Sequence, residues 1–307
     1  MRIYDRVCIA LTNKCTAACE MCCYECSPQK DSHLTYEVVS DLIDQIKMIG
    51  GINDINITGG EPFLYYDELK QIISKATQEG FNVTCLTNSF WCDKYEHVIK
   101  RLKEIKALGL KEIYTSMDVF HRKYISPNKV ANLLKASKEI GLVCGLNVLC
   151  VKSRNQELFS ILEELGDAIF NVKVSVFPLN VVGKQEELIR KNDVTDEVPI
   201  SQLKCKFNRV LLINYDGDVY PCCSNYIKAI PCLKVGNIYE ASIKDIVHFI
   251  PKQFPFGKII MNGICNIAEV VKENNLMTLD DTYIDGCQLC KDIFSKEHVT
   301  EELKKLL

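Results

Sequence analysis

Along the first 180 residues, short apolar runs alternate with longer segments in which apolar residues recur every three or four positions. The short runs predict buried β-strands, and the longer segments predict helices with one apolar face. Most successive strands are about 30 residues apart, the length of one strand–helix unit. The predicted strands are 7–11, 54–58, 81–87, 112–117, 142–151 and 172–177, and the predicted helices are 38–49, 64–78, 95–108, 129–140 and 156–165.

This alternation predicts an α/β fold. Strands that alternate with helices at this spacing form a parallel sheet with helices outside, either open or closed into a full or partial barrel. In such folds the functional residues collect at the carboxyl ends of the strands. We therefore look for chemistry at those ends.

The pattern changes after Gly183. The next twenty or so residues, 184–204, are polar and irregular and predict a connection. An apolar stretch at 209–220, with Asp216-Gly217 in its middle, predicts a hairpin. A short strand at 235–238, a helix at 243–249 and a terminal helix at 301–307 follow, so we expect two domains, residues 1–183 and residues 184–307.

Composition adds one unusual feature, because 17 of the 307 residues are cysteine. The odd number, in a chain long enough to bury a core, argues against a disulfide framework. No signal-peptide pattern precedes the first strand, so we expect reduced thiols in the cytoplasm, some of them bound to metal. The net charge of −3 and the lack of an apolar run of about 18 residues predict neither a nucleic-acid nor a membrane partner.

The first group of cysteines follows the first predicted strand. Cys15, Cys19 and Cys22 form a C-x3-C-x2-C segment. Three cysteines on one short loop can hold three irons of a four-iron cluster and leave the fourth iron open to another molecule. A zinc site would need four closed ligands. Cys23 and Cys26 follow closely, so the choice of three thiols among five stays open.

The second predicted strand ends in Gly59-Gly60-Glu61-Pro62 (GGEP). Glycines let a backbone approach a ligand closely, and a glutamate offers a carboxylate to an ammonium group. Together with the cysteine loop, this step resembles the radical S-adenosylmethionine (SAM) superfamily over residues 5–180. The resemblance implies a partial (β/α)6 barrel of the TIM type and a four-iron cluster whose open iron binds SAM. SAM would then be cleaved to methionine and a 5′-deoxyadenosyl radical, which abstracts hydrogen from carbon.

The resemblance also implies which residues contact SAM. Glu61 and the backbone of Gly59 and Gly60 would hold the methionine amine. Met21 stands where the family usually has an aromatic residue near the adenine, and a methionine side chain also packs on a purine. Asn88, Ser116 and Asp118, at the ends of the third and fourth strands, would contact the ribose and carboxylate of SAM. For Asn88 and Ser116, capping of the strand end is an open alternative.

A second group of cysteines surrounds the predicted hairpin. Its turn at Gly217 brings Cys205 and Cys222 to the same end of the ribbon, and a C-x2-C pair follows at Cys287 and Cys290. Two separated pairs can close either a four-thiolate zinc site or a fully ligated four-iron cluster. Two other cysteines could each replace one of these four ligands: Cys232 and Cys265.

The C-x11-G-x4-C spacing with a later C-x2-C resembles the shortened auxiliary-cluster domain of radical SAM enzymes, of the SPASM or Twitch type. No cysteine follows Cys290, so the resemblance implies one auxiliary cluster and two [4Fe–4S] clusters in all. That domain is typical of enzymes that modify peptides.

Cys223 stands directly beside one presumed ligand, in the segment 216–224 (DGDVYPCCS). This segment and residues 161–183 resemble the peptidyl epimerases of the epipeptide type. In that family the radical takes the α-hydrogen of an L-residue, and a cysteine beside an auxiliary-cluster ligand returns hydrogen from the opposite face. The resemblance implies this role for Cys223, and a buried spare thiol is the alternative. The first strand starts within ten residues, so we expect the barrel mouth itself to hold the peptide.

We therefore expect an enzyme that epimerises L- to D-residues in a ribosomal precursor peptide. It would consume SAM as a co-substrate and take electrons from a donor such as flavodoxin or ferredoxin. The alternative within the class is a thioether or carbon–carbon cross-linking maturase, which would remove two hydrogens from the peptide. The alternative of another class is a non-catalytic iron–sulfur or redox protein, which would not cleave SAM.

Overall fold

The computed structural model describes residues 4–180, 182, 197–205 and 209–307. Its first part alternates six parallel strands with five α-helices, as the sequence pattern predicts. Each predicted element is present, with its ends shifted by a few residues at most. The elements are β1 (Arg6–Ala10), α1 (Tyr36–Ile49), β2 (Asp54–Thr58), α2 (Tyr66–Gln78), β3 (Asn82–Thr87), α3 (Tyr95–Ala107), β4 (Leu110–Ser116), α4 (Pro127–Glu139), β5 (Val143–Cys150), α5 (Asn155–Leu165) and β6 (Lys173–Pro178).

The strands of this sheet bury one face under the helices and leave the other accessible. Side chains alternate between the two faces of a strand. The covered face carries apolar residues such as Ile55, Ile57 and Val83, which are fully buried. The opposite face forms the open interior of the partial barrel, and it carries partly buried polar side chains in neighbouring rungs: Asn56, Thr84, Ser116, Asn147 and Ser175.

The second part of the chain is built from short strands and helices. The predicted hairpin, the strand after it and the first helix are present, and the predicted terminal helix lies inside a longer one. No element was predicted for residues 256–273, where the structure has an 18-residue helix with a kink at Gly263. The elements are β7 (Val198–Pro199), β8 (Val210–Ile213), β9 (Asp218–Tyr220), β10 (Gly236–Asn237), α6 (Ile243–Phe249), α7 (Phe256–Glu273), β11 (Thr282–Tyr283), α8 (Gly286–Phe294) and α9 (Glu297–Leu306).

One continuous sheet joins the two parts. Its strand order is β10-β9-β8-β1-β2-β3-β4-β5-β6, and β8 pairs parallel with β1, so that Cys8 lies opposite Leu212. The hairpin of the expected second domain therefore extends the barrel sheet at its β1 edge. The predicted boundary at residue 183 and most of the predicted connection at 184–204 lie outside the described residues.

The sequence analysis expected reduced thiols and no membrane-spanning segment. All seventeen cysteines are free thiols in the structure. Among the described residues, no helix combines the length and the apolar character that crossing a bilayer requires.

Candidate active site

The loop after β1 folds back on itself before it reaches α1. Residues Thr12 and Lys14 form isolated bridges with His33 and Ser27, and the amide of Cys15 donates to the carbonyl of Ser27 at 3.2 Å. These contacts close residues 12–33 into a compact loop at the carboxyl end of β1. The cysteines of the first group are therefore held at the end of the barrel where the fold predicts chemistry.

The structure separates the five cysteines of this loop by their contacts. Cys26 is hydrogen-bonded to the Cys22 sulfur through its thiol and through its amide, at 3.4 Å for the amide, and these bonds lower the pKa of Cys22 to about 6. Burial raises the pKa of Cys15 to about 11 and also raises that of Cys19. Burial raises the pKa of Cys23, and the charges of Cys22 and Cys223 add to this shift. This arrangement favours Cys15, Cys19 and Cys22 as the three ligands, with Cys26 as a hydrogen-bond donor to one of them.

The GGEP step docks onto the start of the cysteine loop. The amide of Gly60 donates to the carbonyl of Thr12 at 2.5 Å, and the amide of Glu61 donates to that of Lys14 at 2.9 Å. A Cβ at Gly59 would lie 2.5 Å from the Thr12 oxygen, and a Cβ at Gly60 would lie 2.1 Å from the Lys14 oxygen. The glycines therefore permit close contact with the loop that carries the cysteines. Their predicted backbone contact with the methionine amine of SAM stays a prediction.

The carboxylate of Glu61 is fully buried behind this contact. It accepts hydrogen bonds from the amide of Phe63 at 3.0 Å, the hydroxyl of Thr87 at 2.9 Å and the amide of Asn88 at 2.6 Å. Burial raises the pKa of Glu61 to about 7. In the structure both oxygens already bind the chain, so this side chain ties the end of β3 to the GGEP step. Its predicted contact with the methionine amine stays a prediction.

Asn88 connects the end of β3 to the cysteine loop. Its side-chain amide donates to the Cys15 sulfur at 3.4 Å and to the Thr16 hydroxyl at 3.0 Å, and its oxygen accepts from the amide of Phe90 at 2.9 Å. Hydrogen bonds of this kind orient a metal ligand and tune the metal that it binds. The predicted contact of Asn88 with the ribose or carboxylate of SAM stays a prediction.

Asp118, just past β4, is buried and fully hydrogen-bonded. Its carboxylate accepts from the amides of Phe120 and His121, and the His121 ring lies 2.9 Å from its other oxygen. Burial alone would raise the pKa of Asp118, but the charge and hydrogen bonds of His121 hold it below its usual value. The segment docks on the cysteine loop through the Tyr124 hydroxyl, which donates to the carbonyl of Ala18 at 2.9 Å.

The other two residues predicted to contact SAM occupy the expected places. Ser116 lies at the end of β4 on the inner face, partly exposed and paired with Asn147 of β5. Met21 is partly buried between the second and third cysteines of the loop and packs against the core. The predicted contacts of both side chains with SAM stay predictions.

The second group of cysteines meets at one cavity. Cys205, Cys222, Cys287 and Cys290 line a cavity with an empty volume of about 390 Å³, between apolar side chains of α7 and the start of α8. Burial raises the pKa of Cys222, and the neighbouring Cys205 and Cys287 add to this shift. Four thiols that face one apolar cavity fit the ligands of a closed iron–sulfur cluster.

Local geometry fixes the C-x2-C pair at this cavity. The side chain of Asp285 caps α8 by accepting from the amides of Cys287 and Gln288, both at 2.9 Å, so Cys287 lies in the first turn of the helix and Cys290 follows three positions later on the same face. A Cβ at Gly286 would lie 2.8 Å from the carbonyl oxygen of Lys204, the residue before Cys205. This glycine therefore allows the two cysteine pairs to approach.

The alternative ligands lie elsewhere. The thiol of Cys265 donates to the carbonyls of Ile200 and Leu203, at 2.9 and 3.0 Å, and that of Cys232 lies 3.9 Å from the carbonyl of Phe294. Within the described part of the chain, no three or more His, Cys, Asp or Glu side chains converge closely enough to hold a single metal ion. A four-iron cluster does not require such convergence, because each of its ligands binds a different iron.

Cys223 does not line that cavity. Hydrogen bonding from Cys8 of β1 contributes most to lowering the pKa of Cys223, and Tyr24 of the cysteine loop adds to this shift. Cys8 lies on the same face of the sheet as Asn56, which is the inner face of the barrel. Cys223 is thus a partly buried thiol between the two groups of ligand cysteines.

The fold and these two sites define the class of protein. The model of the radical SAM superfamily matches residues 9–179, more than half of the chain, and that of the SPASM iron–sulfur cluster-binding domain matches residues 205–291. The chain therefore belongs to the radical SAM superfamily and is a radical SAM enzyme. The two domains imply SAM, a four-iron cluster and additional iron–sulfur clusters, and the two groups of thiols fit these cofactors.

Two relatives are similar to the chain over most of its length. The chain is 26% identical over 299 residues to the putative peptide biosynthesis protein YydG of Bacillus subtilis, covering 94% of this chain and 92% of the relative. It is 22% identical over 291 residues to the tungsten-containing aldehyde ferredoxin oxidoreductase cofactor-modifying protein of Pyrococcus furiosus, covering 78% and 79%.

Two solved structures share the fold. One is anSMEcpe with bound AdoMet and a peptide, with a TM-score of 0.58, 13% identity and 98% of each chain covered. The other is BtrN in complex with AdoMet and 2-DOIA, with a TM-score of 0.52, 16% identity and 84% and 85% of the chains covered. At these identities the likeness concerns the fold alone.

The docking of the GGEP step can be tested at Gly60. We expect Gly60→Ala to lower the free energy of unfolding by about 2 kcal/mol or more, because its Cβ meets a backbone oxygen that no side-chain rotation can move. Gly236→Ala is the comparison variant, since its Cβ would meet side-chain atoms of Ile246, the nearest at 2.9 Å, and no backbone atom. Denaturant unfolding of the two variants compares them, and equal losses of stability would contradict the docking argument.

The contact between Asn88 and Cys15 predicts a redox effect. A hydrogen bond to a thiolate ligand stabilises the added negative charge of a reduced cluster. We therefore expect Asn88→Ala to lower the reduction potential of the cluster at the first cysteine group, measured by an EPR-monitored redox titration. Thr16→Val removes the other partner of the same amide and should leave the potential unchanged. An Asn88→Ala potential equal to that of the wild type would refute this role.

Proposed function

We propose that this radical SAM enzyme epimerises L- to D-residues in a ribosomally made peptide, with Cys223 as the hydrogen donor. The observation that carries the proposal is the position of Cys223, which lies next to Cys222 but outside the auxiliary cavity and close to Cys8 on the inner face of the barrel. A spare thiol in a packed core would not need to lie between the two groups of ligand cysteines.

The first group of residues would generate the oxidant. When bound at Cys15, Cys19 and Cys22, the cluster and SAM supply a 5′-deoxyadenosyl radical at the carboxyl end of β1. Asn88, through its bond to Cys15, and the docked backbone of Gly59 and Gly60 would hold this loop in place. The residues proposed to contact SAM are Met21, Gly59, Gly60, Glu61, Asn88, Ser116 and Asp118.

Cys223 would complete the reaction from the other side. The radical removes the α-hydrogen of an L-residue as a hydrogen atom. The S–H bond of Cys223 then breaks, and its hydrogen atom joins the α-carbon from the opposite face, which gives the D-residue and a thiyl radical. One electron and one proton restore the thiol, and a flavodoxin or ferredoxin would be the source of that electron.

The barrel interior would hold the peptide. Its inner face carries polar side chains in neighbouring rungs, where Asn147 lies beside Ser116 and Ser175 lies beside Asn147. Amide and hydroxyl groups at this spacing can pair with the main chain of an extended peptide. The description of YydG as a peptide biosynthesis protein supports a peptide substrate.

We also propose that the enzyme acts in the cytoplasm and that residues 184–307 form the auxiliary-cluster domain, with Cys205, Cys222, Cys287 and Cys290 as its ligands.

A cross-linking maturase is the second candidate function. The same radical would abstract hydrogen, but the substrate radical would form a new bond and lose a further electron, so the peptide would lose two hydrogens. The auxiliary cavity favours this candidate in so far as a cluster there could accept that electron. It leaves the contacts of Cys223 without a role.

Heavy water distinguishes the two candidates. In D2O the Cys223 thiol exchanges its hydrogen with solvent, so each epimerised residue should gain about one mass unit. Candidate peptides are the short precursor peptides encoded beside the gene, and the readout is mass spectrometry with chiral amino-acid analysis. Cys223→Ala should abolish deuterium incorporation and D-residues while 5′-deoxyadenosine still forms. Cys144→Ala, at a buried thiol that lies on the carbonyl of Leu134 in α4, is the control that keeps both. A mass loss of about two units in the wild type would identify a cross-linking enzyme instead.

A further inference from the structure

We propose that Trp91 is a positioning residue for SAM, because it fixes the Thr87 hydroxyl that holds the Glu61 carboxylate ready for the methionine amine. This inference rests on the proposed contact between Glu61 and that amine, and it adds the chain of hydrogen bonds that prepares the contact. Trp91 acts through Thr87 and need not touch SAM itself.

The Thr87 hydroxyl can donate its hydrogen in only one direction. A hydroxyl group has one hydrogen and two acceptor positions. The oxygen of Thr87 accepts from the indole N–H of Trp91 and from the amide of Ser89, both at 3.1 Å, so both acceptor positions are used. Its hydrogen is left for the Oε1 atom of Glu61, 2.9 Å away. All four residues are buried, which keeps water from competing for these bonds.

These donors leave one defined acceptor position on Glu61. Each carboxylate oxygen has about two acceptor positions. Oε1 accepts from the amide of Phe63 and the hydroxyl of Thr87, which fills it. Among the described residues, Oε2 accepts from one donor, the amide of Asn88 at 2.6 Å. An ammonium group that approaches Glu61 therefore meets one open position, on an oxygen whose direction is already set.

Ring stacking holds the indole that supplies the first donor. The ring of Trp91 lies nearly parallel to that of Phe63, at an angle of 12° and with the ring centroids 4.4 Å apart. The guanidinium group of Arg101 lies 5.6 Å from the centroid of the same indole. Because Phe63 also donates its amide to Oε1, the stack and the donors to that oxygen form one packed unit. Packing alone is the alternative role of Trp91, and it would not require an N–H group.

Trp91 is the only tryptophan of the chain, so a tryptophan analogue changes this position alone. Benzothienylalanine replaces the indole N–H by sulfur and keeps the two fused rings, whereas 4-fluorotryptophan keeps the N–H and is the matched control. Both proteins are produced in a tryptophan auxotroph and reconstituted with their clusters. Equilibrium dialysis without reductant or peptide then measures the Kd of SAM and that of 5′-methylthioadenosine, which lacks the amine and the carboxylate.

We expect the sulfur analogue to bind SAM about five- to tenfold more weakly, the effect of weakening one hydrogen bond to a charged group. It should bind 5′-methylthioadenosine as the 4-fluorotryptophan protein does, because that ligand has no amine for Glu61. An unchanged SAM affinity would overturn the role of the N–H group. An equal loss for both ligands would also overturn it, since a general packing defect affects both.

Thr87 provides a second test in the same assay. Thr87→Val keeps the shape of the side chain without its hydroxyl and should weaken SAM binding at least as much as the analogue, whereas Thr87→Ser should restore most of the affinity. A Thr87→Val protein that binds SAM like the wild type would contradict the inference. Failure of the proposed contact itself looks different, because Glu61→Gln would then weaken the binding of SAM no more than that of 5′-methylthioadenosine. The assay contains no peptide, so its result does not depend on whether the enzyme epimerises or cross-links its substrate.

Discussion

The close main-chain contact between the start of the cysteine loop and the GGEP step is the constraint on which the rest of the site depends. The carbonyls of Thr12 and Lys14 lie so near the GGEP step that only glycine fits at positions 59 and 60. This contact holds the loop after β1 against the end of β2, and Glu61 extends it to β3 by accepting hydrogen bonds from Thr87 and Asn88. Three neighbouring strand ends therefore position one group of cysteines, and the geometry of the radical-generating site follows from main-chain packing.

A second constraint brings the two cysteine groups together. Because β8 pairs parallel with β1, the hairpin that carries Cys222 and Cys223 is part of the same sheet as the barrel. The segment after β9 then passes beside Cys8 and Tyr24, while Cys222 turns toward the auxiliary cavity. Adjacent residues thus serve different sites: Cys222 lines the cavity, and its neighbour faces the region between the clusters.

Most of the barrel could be predicted from sequence, because apolar residues at helical or strand spacing mark elements that bury one face. The ligand sets stay predictions from their spacing, and the structure brings Cys205, Cys222, Cys287 and Cys290 to one cavity. The kinked helix α7 could not, since Gly263 interrupts its apolar stripe with a non-helical conformation. The proximity of Cys8 and Tyr24 to Cys223 could not be predicted either, because residues about 200 positions apart leave no local pattern in the sequence. The internal bonds of Glu61 and Asp118 depend in the same way on tertiary packing.

The central claim is that the two adjacent cysteines have different roles, one as a ligand and one as a free thiol. Iron and sulfide counts per chain after anaerobic reconstitution test it directly, for the wild type, Cys222→Ala and Cys223→Ala side by side. We predict about eight irons in the wild type and in Cys223→Ala, and about four in Cys222→Ala, which loses the auxiliary cluster. A fall to about four irons in Cys223→Ala would make Cys223 a ligand and contradict the account.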